Sequence, residues 1–408
     1  MRRVVISGVG AVSPLGNDVA SLVDGVAAGK SAVRYMEGWD QYVGLRSLVA
    51  APAELRNEKA IPRKSRRSMG RMSIFAVQAT EQSLEDAGMG ADVLSSNRIG
   101  CVIGSTMGSA GSLSETFETM LPERDLSRLT AMKFFQCVSH TAAMNVAQHL
   151  GITGCVMATS AACASSLQAI GLGYDLIRMG RQDVMICGGS EELHPTVTGS
   201  FDILFATSTG YNDDPGRTPR PFDADRDGLV CGEGSGILVL EERDRALERG
   251  ATVYAEIVGY HTGGSGEHVS QSNRASIVHC LREALVSAKL SPGDIDYISA
   301  HGTATRHGDE VEAKAIAEVF GDTVPVSSLK GYIGHTLGAS GALELIVSLA
   351  VMKNGVIYPT LNLETVDEAC RGIDHVMEPL HRDVNVVMKN CFAFGGINAA
   401  LVCRRAEY

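Results

Sequence analysis

The chain has 408 residues, ten cysteines and a formal net charge of −11 at pH 7. That length can bury a large core in one domain or two fused halves, and the acidic balance argues against nucleic acid as the main partner, because phosphate binding needs a clustered positive field. The cysteines lack C-x-x-C spacing, which disfavours disulfide scaffolds and metal sites, and no stretch reaches the ~20 continuous apolar residues of a membrane span.

Forty-five glycines and strand-like runs alternating with helix-like ones predict an α/β architecture with tight strand-to-helix turns. The first strand, Val4–Val9, follows Arg2 and Arg3 but meets Gly8 and Gly10 too soon for a signal-peptide core, so a cytoplasmic location is expected. A basic run, Arg63-Lys64-Ser65-Arg66-Arg67, precedes a helix over Met72–Ala87 that Gly88 closes. Strand Arg98–Gly104 leads into Ser105-Thr106-Met107-Gly108. The small-residue run Ala158-Thr159-Ser160-Ala161-Ala162-Cys163 opens a helix through Met179. Strands Asp183–Gly188, Gly236–Glu241 and Val253–Tyr260 follow, then helix Arg274–Ala288, strand Tyr297–Ala300, helices Asp309–Val319 and Ser340–Met352, and the strand pair Asn385–Asn390 with Ala399–Cys403. A fresh strand at Val253, like that at Val4, suggests halves meeting near Arg249-Gly250.

Cys163 is a candidate nucleophile. A cysteine at a helix start sees unpaired N–H groups and the positive end of the helix dipole, both of which favour thiolate. The competing reading, a small buried thiol chosen for packing, is the commoner one for any single cysteine. Two histidines change the balance: His301-Gly302-Thr303-Ala304-Thr305 follows one strand-like stretch, and Lys330-Gly331-Tyr332-Ile333-Gly334-His335 follows another. Glycine beside a histidine at a strand end lets backbone approach a ligand while the ring enters the site.

With these motifs, and with Gly188-Gly189-Ser190-Glu191-Glu192, Arg220-Pro221-Phe222-Asp223-Ala224-Asp225, Gly232-Glu233-Gly234-Ser235-Gly236 and Phe392-Ala393-Phe394-Gly395-Gly396-Ile397-Asn398, essentially the whole chain resembles the elongating β-ketoacyl-acyl carrier protein synthases. The resemblance implies a thiolase-like, five-layered αβαβα fold of two duplicated halves: 1–249, which carries Cys163, and 250–408, which carries His301 and His335. It implies decarboxylative condensation of a Cys163-bound acyl group with malonyl-acyl carrier protein, in fatty-acid or related polyene or polyketide elongation. Thiolases carry a second cysteine where this chain has Phe392-Ala393-Phe394, and initiating synthases carry asparagine in place of His335. A nucleophile-free partner subunit that sets chain length, or an acyl-binding protein, is the alternative; Cys163 argues against both.

By the same resemblance, His301 and His335 stabilise the enolate and the backbone N–H groups of Cys163 and Phe394 form an oxyanion hole. Lys330 orders the site, with Glu344 beside it. Thr303 and Thr305 would hydrogen-bond the pantetheine amides, and Phe201, Phe392 and Ala393 would contact substrate. Met107 would set the depth of the acyl tunnel near a dimer interface, against the alternative that it fills core. Arg63, Lys64, Arg66, Arg67, Arg124 and Arg128 would dock the acidic acyl carrier protein. No organic cofactor is expected, because phosphopantetheine belongs to the carrier, and no metal, although the resemblance leaves room for a monovalent cation near the C-terminal loop. A homodimer, or a heterodimer with a related subunit, is expected. Two positions depart from the family pattern: Ala393 stands where glycine is usual, which predicts a stiffer Phe394 loop, and Ile397 replaces a polar residue.

Overall fold

The computed structural model describes residues 1–90 and 94–406. The first five strands of the main sheet are β1 (Val4–Val12), β2 (Ile99–Gly104), β3 (Val156–Met157), β4 (Val184–Glu191) and β5 (Gly234–Glu242). They lie in the order β1-β5-β4-β2-β3, with β1/β5 and β5/β4 antiparallel and β4/β2 and β2/β3 parallel. The second set is β6 (Ala255–Gly264), β7 (Tyr297–Ser299), β8 (Pro325–Ser327), β9 (Val386–Ala393) and β10 (Ile397–Arg404). Its order, β6-β10-β9-β7-β8, repeats the same pattern of two antiparallel and then two parallel pairings. Val4–Ile6 of β1 pairs with Ala255–Ile257 of β6, which joins the sets into one ladder, and a short strand, Asp374–His375, adds to β8.

Strand residues alternate between two cores, as a period of two requires. Met185, Cys187, Leu238 and Leu240 face a central cluster, whereas Val184, Ile186, Ile237 and Val239 face an outer one. Helices α1 (Arg71–Asp86) and α2 (Thr141–Leu150) cover that outer face. Helix α3 (Ser165–Arg178) lies in the centre; α4 (Arg274–Ala288) and α5 (Arg306–Phe320) cover the far face of the second set; α6 (Ser340–Asn354) joins α3 between the two strand sets. The five layers expected from the resemblance are present. The segment Leu337–Asn354 has a mean hydropathy of 1.2, high enough for a membrane helix, but it is 83% buried inside the protein, which accounts for its composition.

The long strands and helices fall within a few residues of expectation. Two differences bear on the site: the helix at Cys163 begins as a single 3₁₀ turn, Ala162–Ala164, and the strand expected to stop at Asn390 continues through Ala393.

Candidate active site

Glycine brings the strand ends close to the reactive loops. A Cβ on Gly104 would lie 2.6 Å from the Ser165 carbonyl carbon, and one on Gly189 would lie 2.2 Å from the Gly338 carbonyl oxygen, so β2 and β4 reach the turn of Cys163 and the loop of His335 only without side chains there. The hydroxyls of the small-residue run close this turn: Thr159 Oγ1 donates to Ser165 O at 2.8 Å, and Ser165 Oγ donates to Ala162 O at 2.7 Å while accepting from Ala161 N–H at 2.9 Å. Ala162 has φ 47°, a left-handed conformation that an alanine holds only under local constraint. Cys163 itself is buried.

His301 follows β7. Its N–H and that of Gly302 donate to the two oxygens of Glu312 at 2.7 Å each, and the N–H groups of Thr303 and Ala304 donate to Asp309 Oδ1 at 2.9 and 3.1 Å. Asp309 also accepts from Phe222 N–H at 2.7 Å, which ties the Arg220–Asp227 segment to this loop. His335 is held through its N–H to Val230 O at 2.7 Å. These supports place Cys163 Sγ 2.9 Å from His335 Nε2 and set the two imidazole rings edge to face, with centroids 5.2 Å apart and planes at 80°. The sulfur and one ring nitrogen of each histidine all lie within 4.8 Å of one another.

Leu337 N–H donates to His335 Nδ1 at 3.3 Å, so a neutral His335 carries its proton on Nε2, directed at the sulfur. Burial first, then the Lys330 charge, holds both histidines well below the ordinary imidazole range, so both are neutral. Burial also pushes the Cys163 thiol up to about 12, with Lys330 pulling the other way. The thiolate expected from the helix start is therefore opposed by desolvation, and the His335 N–H at the sulfur adds to what the first helical turn supplies.

Glu344 Oε1 accepts from Lys330 Nζ at 2.7 Å and Oε2 lies 2.5 Å from Lys389 Nζ; all three side chains are fully buried. Lys389, Glu312 and Asp309 were not anticipated. A signal existed for the carboxylates: Asp309 and Glu312 share one helical stripe with Ala313, Ile316 and Phe320, a spacing that turns them inward with the apolar residues.

One cavity is walled by Cys163, His301, His335, Thr303, Thr305, Phe392, Ala393 and Phe394, so the structure brings these expected residues together. Thr303 Oγ1 and Thr305 Oγ1 are 2.9 Å apart. Thr305 and Phe394 also border a wider opening with Phe205 and Arg306. Phe201 reaches Phe394, with ring centroids 5.8 Å apart. Ala393 ends β9 opposite Ile397 in extended conformation, so alanine needs no positive φ there; that demand falls on Gly395 and Gly396, at 89° and 73°. The expected stiffening by Ala393 has no backbone basis.

Met107 is not on the cavity wall, and at 42% exposure it fills no core of this chain. Arg63, Lys64 and Arg67 are exposed and Arg66 is half-buried at a short helix, Arg63–Arg66; among the described residues none of the four enters an ion pair. Arg124 is exposed. Arg128 is also exposed and is paired with Glu123 at 2.6 Å and Asp125 at 3.5 Å.

Residues 1–246 match the family described as "Beta-ketoacyl synthase, N-terminal domain" and residues 254–364 match its C-terminal domain. The chain is 37% identical over 407 residues to 3-oxoacyl-[acyl-carrier-protein] synthase 1 of Haemophilus influenzae, spanning 99% of both chains. Among solved structures it is similar to a β-ketoacyl synthase from Burkholderia phymatum, at 45% identity and a TM-score of 0.96, and to a ketosynthase bound to the hexaketide in complex with a type II PKS acyl-carrier protein, at 30% identity and a TM-score of 0.92; each covers both chains fully. On these matches, and with one cysteine and two histidines gathered where two repeated α/β halves meet, the chain belongs to the β-ketoacyl synthase family.

Proposed function

We propose that this enzyme condenses a Cys163-bound acyl group with malonyl-acyl carrier protein to give β-ketoacyl-acyl carrier protein, in fatty-acid or related polyene or polyketide elongation. The observation that carries the reading is the buried Cys163 sulfur 2.9 Å from His335 with His301 at the same cavity. The Cys163 sulfur, giving up its proton, attacks the thioester carbonyl of an acyl-carrier; the new C–S bond forms, the bond to the carrier sulfur breaks, and the carrier leaves as a thiol with that proton. Malonyl-carrier then loses its carboxylate as carbon dioxide, and the electron pair left behind becomes an enolate. Neutral His301 and His335 stabilise the enolate oxygen through ring N–H groups. The enolate carbon attacks the acyl carbonyl, the bond to Cys163 breaks, and the N–H groups of Cys163 and Phe394 hold the oxyanion at each tetrahedral stage. Thr303 and Thr305 bind the pantetheine amides. Decarboxylation supplies the carbanion, so the protein needs no organic cofactor or metal of its own.

The reading is tested by incubating the protein with acyl-carrier alone and recording intact mass: one acyl group is expected on Cys163, and unmodified protein would contradict it. A nucleophile-free partner subunit has no use for a cysteine held in this way, and an acyl-binding protein would release no carbon dioxide from malonyl-carrier.

Acyl carrier protein docks, in this reading, on the exposed cluster of Arg63, Lys64 and Arg67, with Arg66 and Arg124; these cations, which enter no ion pair among the described residues, form a local positive field on a chain of net charge −11 for an acidic partner. Reversing charge at Lys64 and Arg67 is expected to raise KM for acyl-carrier and flatten its salt dependence, while a small thioester mimic reacts as before. Equal loss with both substrates would point to misfolding instead.

A dimer, with an identical or closely related partner, is supported by the exposed edge strand β3 and by exposed Phe117 and Phe134 on the helices Ala110–Met120 and Ala131–Cys137. Met107 would meet the acyl tunnel where that partner closes it. Met107→Gly is then expected to shift relative kcat/KM towards longer acyl groups, each added methylene contributing up to ~0.8 kcal/mol; an unchanged chain-length profile in a folded variant would remove Met107 as the tunnel stop. The division into halves 1–249 and 250–408 is supported by the repeated strand order. A cytoplasmic location fits ten cysteines that are all free.

A further inference from the structure

Lys389 is fully buried and has no part in the reaction proposed above. It lies in β9, where all eight residues are buried, and an ammonium at such a place is costly unless its protons are placed and its charge is paired. Both conditions are met. Its Nζ donates to Ser299 O at 3.2 Å and to Ala300 O at 3.0 Å, and lies 2.5 Å from Glu344 Oε2. Ser299 and Ala300 are the two residues before His301. On the other side of the same carboxylate, Lys330 Nζ donates to His301 O at 2.5 Å and to Glu344 Oε1 at 2.7 Å. Three successive carbonyls, 299 to 301, thus run across two ammonium groups that share one glutamate, while Glu312 takes the next N–H groups at His301 and Gly302.

We propose that Lys389 is a positioning residue for the decarboxylation step: bridged to Glu344, its ammonium clamps the Ser299 and Ala300 carbonyls and so sets the backbone from which His301 enters the cavity. The proposal rests on the role of His301 given above. Hydrogen bonding alone would be served by any donor of this length; the charge adds a second effect. The groups facing His301 and Lys389 are Lys330 on the short helix Lys330–Ile333, Glu344 on α6, Glu312 on α5, His335, Cys391 on β9 and Tyr297 on β7. Two lysines set against two carboxylates leave no excess negative charge to favour an imidazolium, and Lys389 is one of the cations that keep His301 neutral.

Two variants test this. Lys389→Met keeps the length and removes the charge; Lys389→Ala opens a space the size of a small ammonium ion. For wild type and both variants, acylation of Cys163 is followed by intact mass, carbon dioxide release from malonyl-carrier is measured with and without methylammonium, and the His301 ring titration is followed by NMR, assigned against His301→Ala. Acylation is expected to continue near the wild-type rate, and decarboxylation to fall about 10²-fold in both variants, the scale of a misplaced catalytic group. Methylammonium is expected to restore part of the rate to Lys389→Ala and none to Lys389→Met, and the His301 titration is expected to move up in both. Decarboxylation at the wild-type rate in either variant overturns the proposal. So does equal loss of both half-reactions, or absence of rescue with an unmoved His301 titration. A wild-type protein that releases no carbon dioxide would instead overturn the reading of the site itself.

Discussion

Cys163→Ala is expected to take no acyl group from any carrier thioester and to form no β-ketoacyl product, a loss on the order of 10⁶ in turnover, as when a covalent nucleophile is removed outright. No neighbour can replace the sulfur. Ser165 Oγ is committed to Ala162 O, and Ser166 Oγ accepts from Ala342 N–H at 3.1 Å. Cys391 and Cys231 are fully buried and neither lines the cavity that Cys163 shares with the two histidines. The variant should fold, because the change removes one buried sulfur, a loss of about 1 kcal/mol. It should also still release carbon dioxide from malonyl-carrier, since that step uses the histidines. Intact mass after incubation with acyl-carrier checks the first point, and an acylated variant would remove Cys163 from its role.

His301→Ala and His335→Ala should give the opposite pattern. Each is expected to accept an acyl group on Cys163 while decarboxylation falls about 10²–10³-fold, the usual loss for one preorganised donor at a developing oxyanion. The mechanism requires neutral rings. Burial and the Lys330 charge hold both titrations well below the ordinary imidazole value, so in the folded enzyme both rings should stay neutral as pH falls through ~6.5, where an exposed histidine gains a proton. The stability consequence has a definite sign. Below that pH the unfolded chain binds protons that the native state refuses, so the native state loses stability as pH drops, and His301→Ala should show a shallower fall in Tm on the acid side. A variant that releases carbon dioxide at the wild-type rate, or a Tm with the same acid slope in both proteins, would contradict the role given to these rings.

The three reactive side chains were legible because chemistry left a mark on composition: a cysteine among alanines and serines at a helix start, and histidines beside glycines at strand ends. The long strands were legible because each is buried on both faces or alternates between two cores. Strand β3, two residues long, is too short to show a period. The charged support of the site was hidden for a different reason. Asp309 and Glu312 carry an inward helical stripe, but Lys389 looks like any strand lysine in a linear sequence, and only the packed structure shows its charge matched by Glu344 inside the protein. Lys330 and Glu344 were expected near the site through the family resemblance, yet the second lysine on the same carboxylate was not. The charge of Arg128 is visible in the sequence, but its pairing with Glu123 is set by the fold of an exposed loop. At Ala393 the motif suggests a need for glycine's backbone freedom, but the strand extends to that residue and the need falls on Gly395 and Gly396.

In the proposed mechanism Cys163, His301 and His335 together carry out a decarboxylative condensation. The most direct measurement supplies a short acyl-carrier and malonyl-carrier together, and follows both the mass of the carrier-bound product and the carbon dioxide released. The expected result is a β-ketoacyl-carrier two carbons longer than the acyl donor, one carbon dioxide per product, and an acyl group on Cys163 that disappears as product forms. Decay of acyl-Cys163 without an elongated β-ketoacyl product, or elongated product without acylation of Cys163, would contradict it.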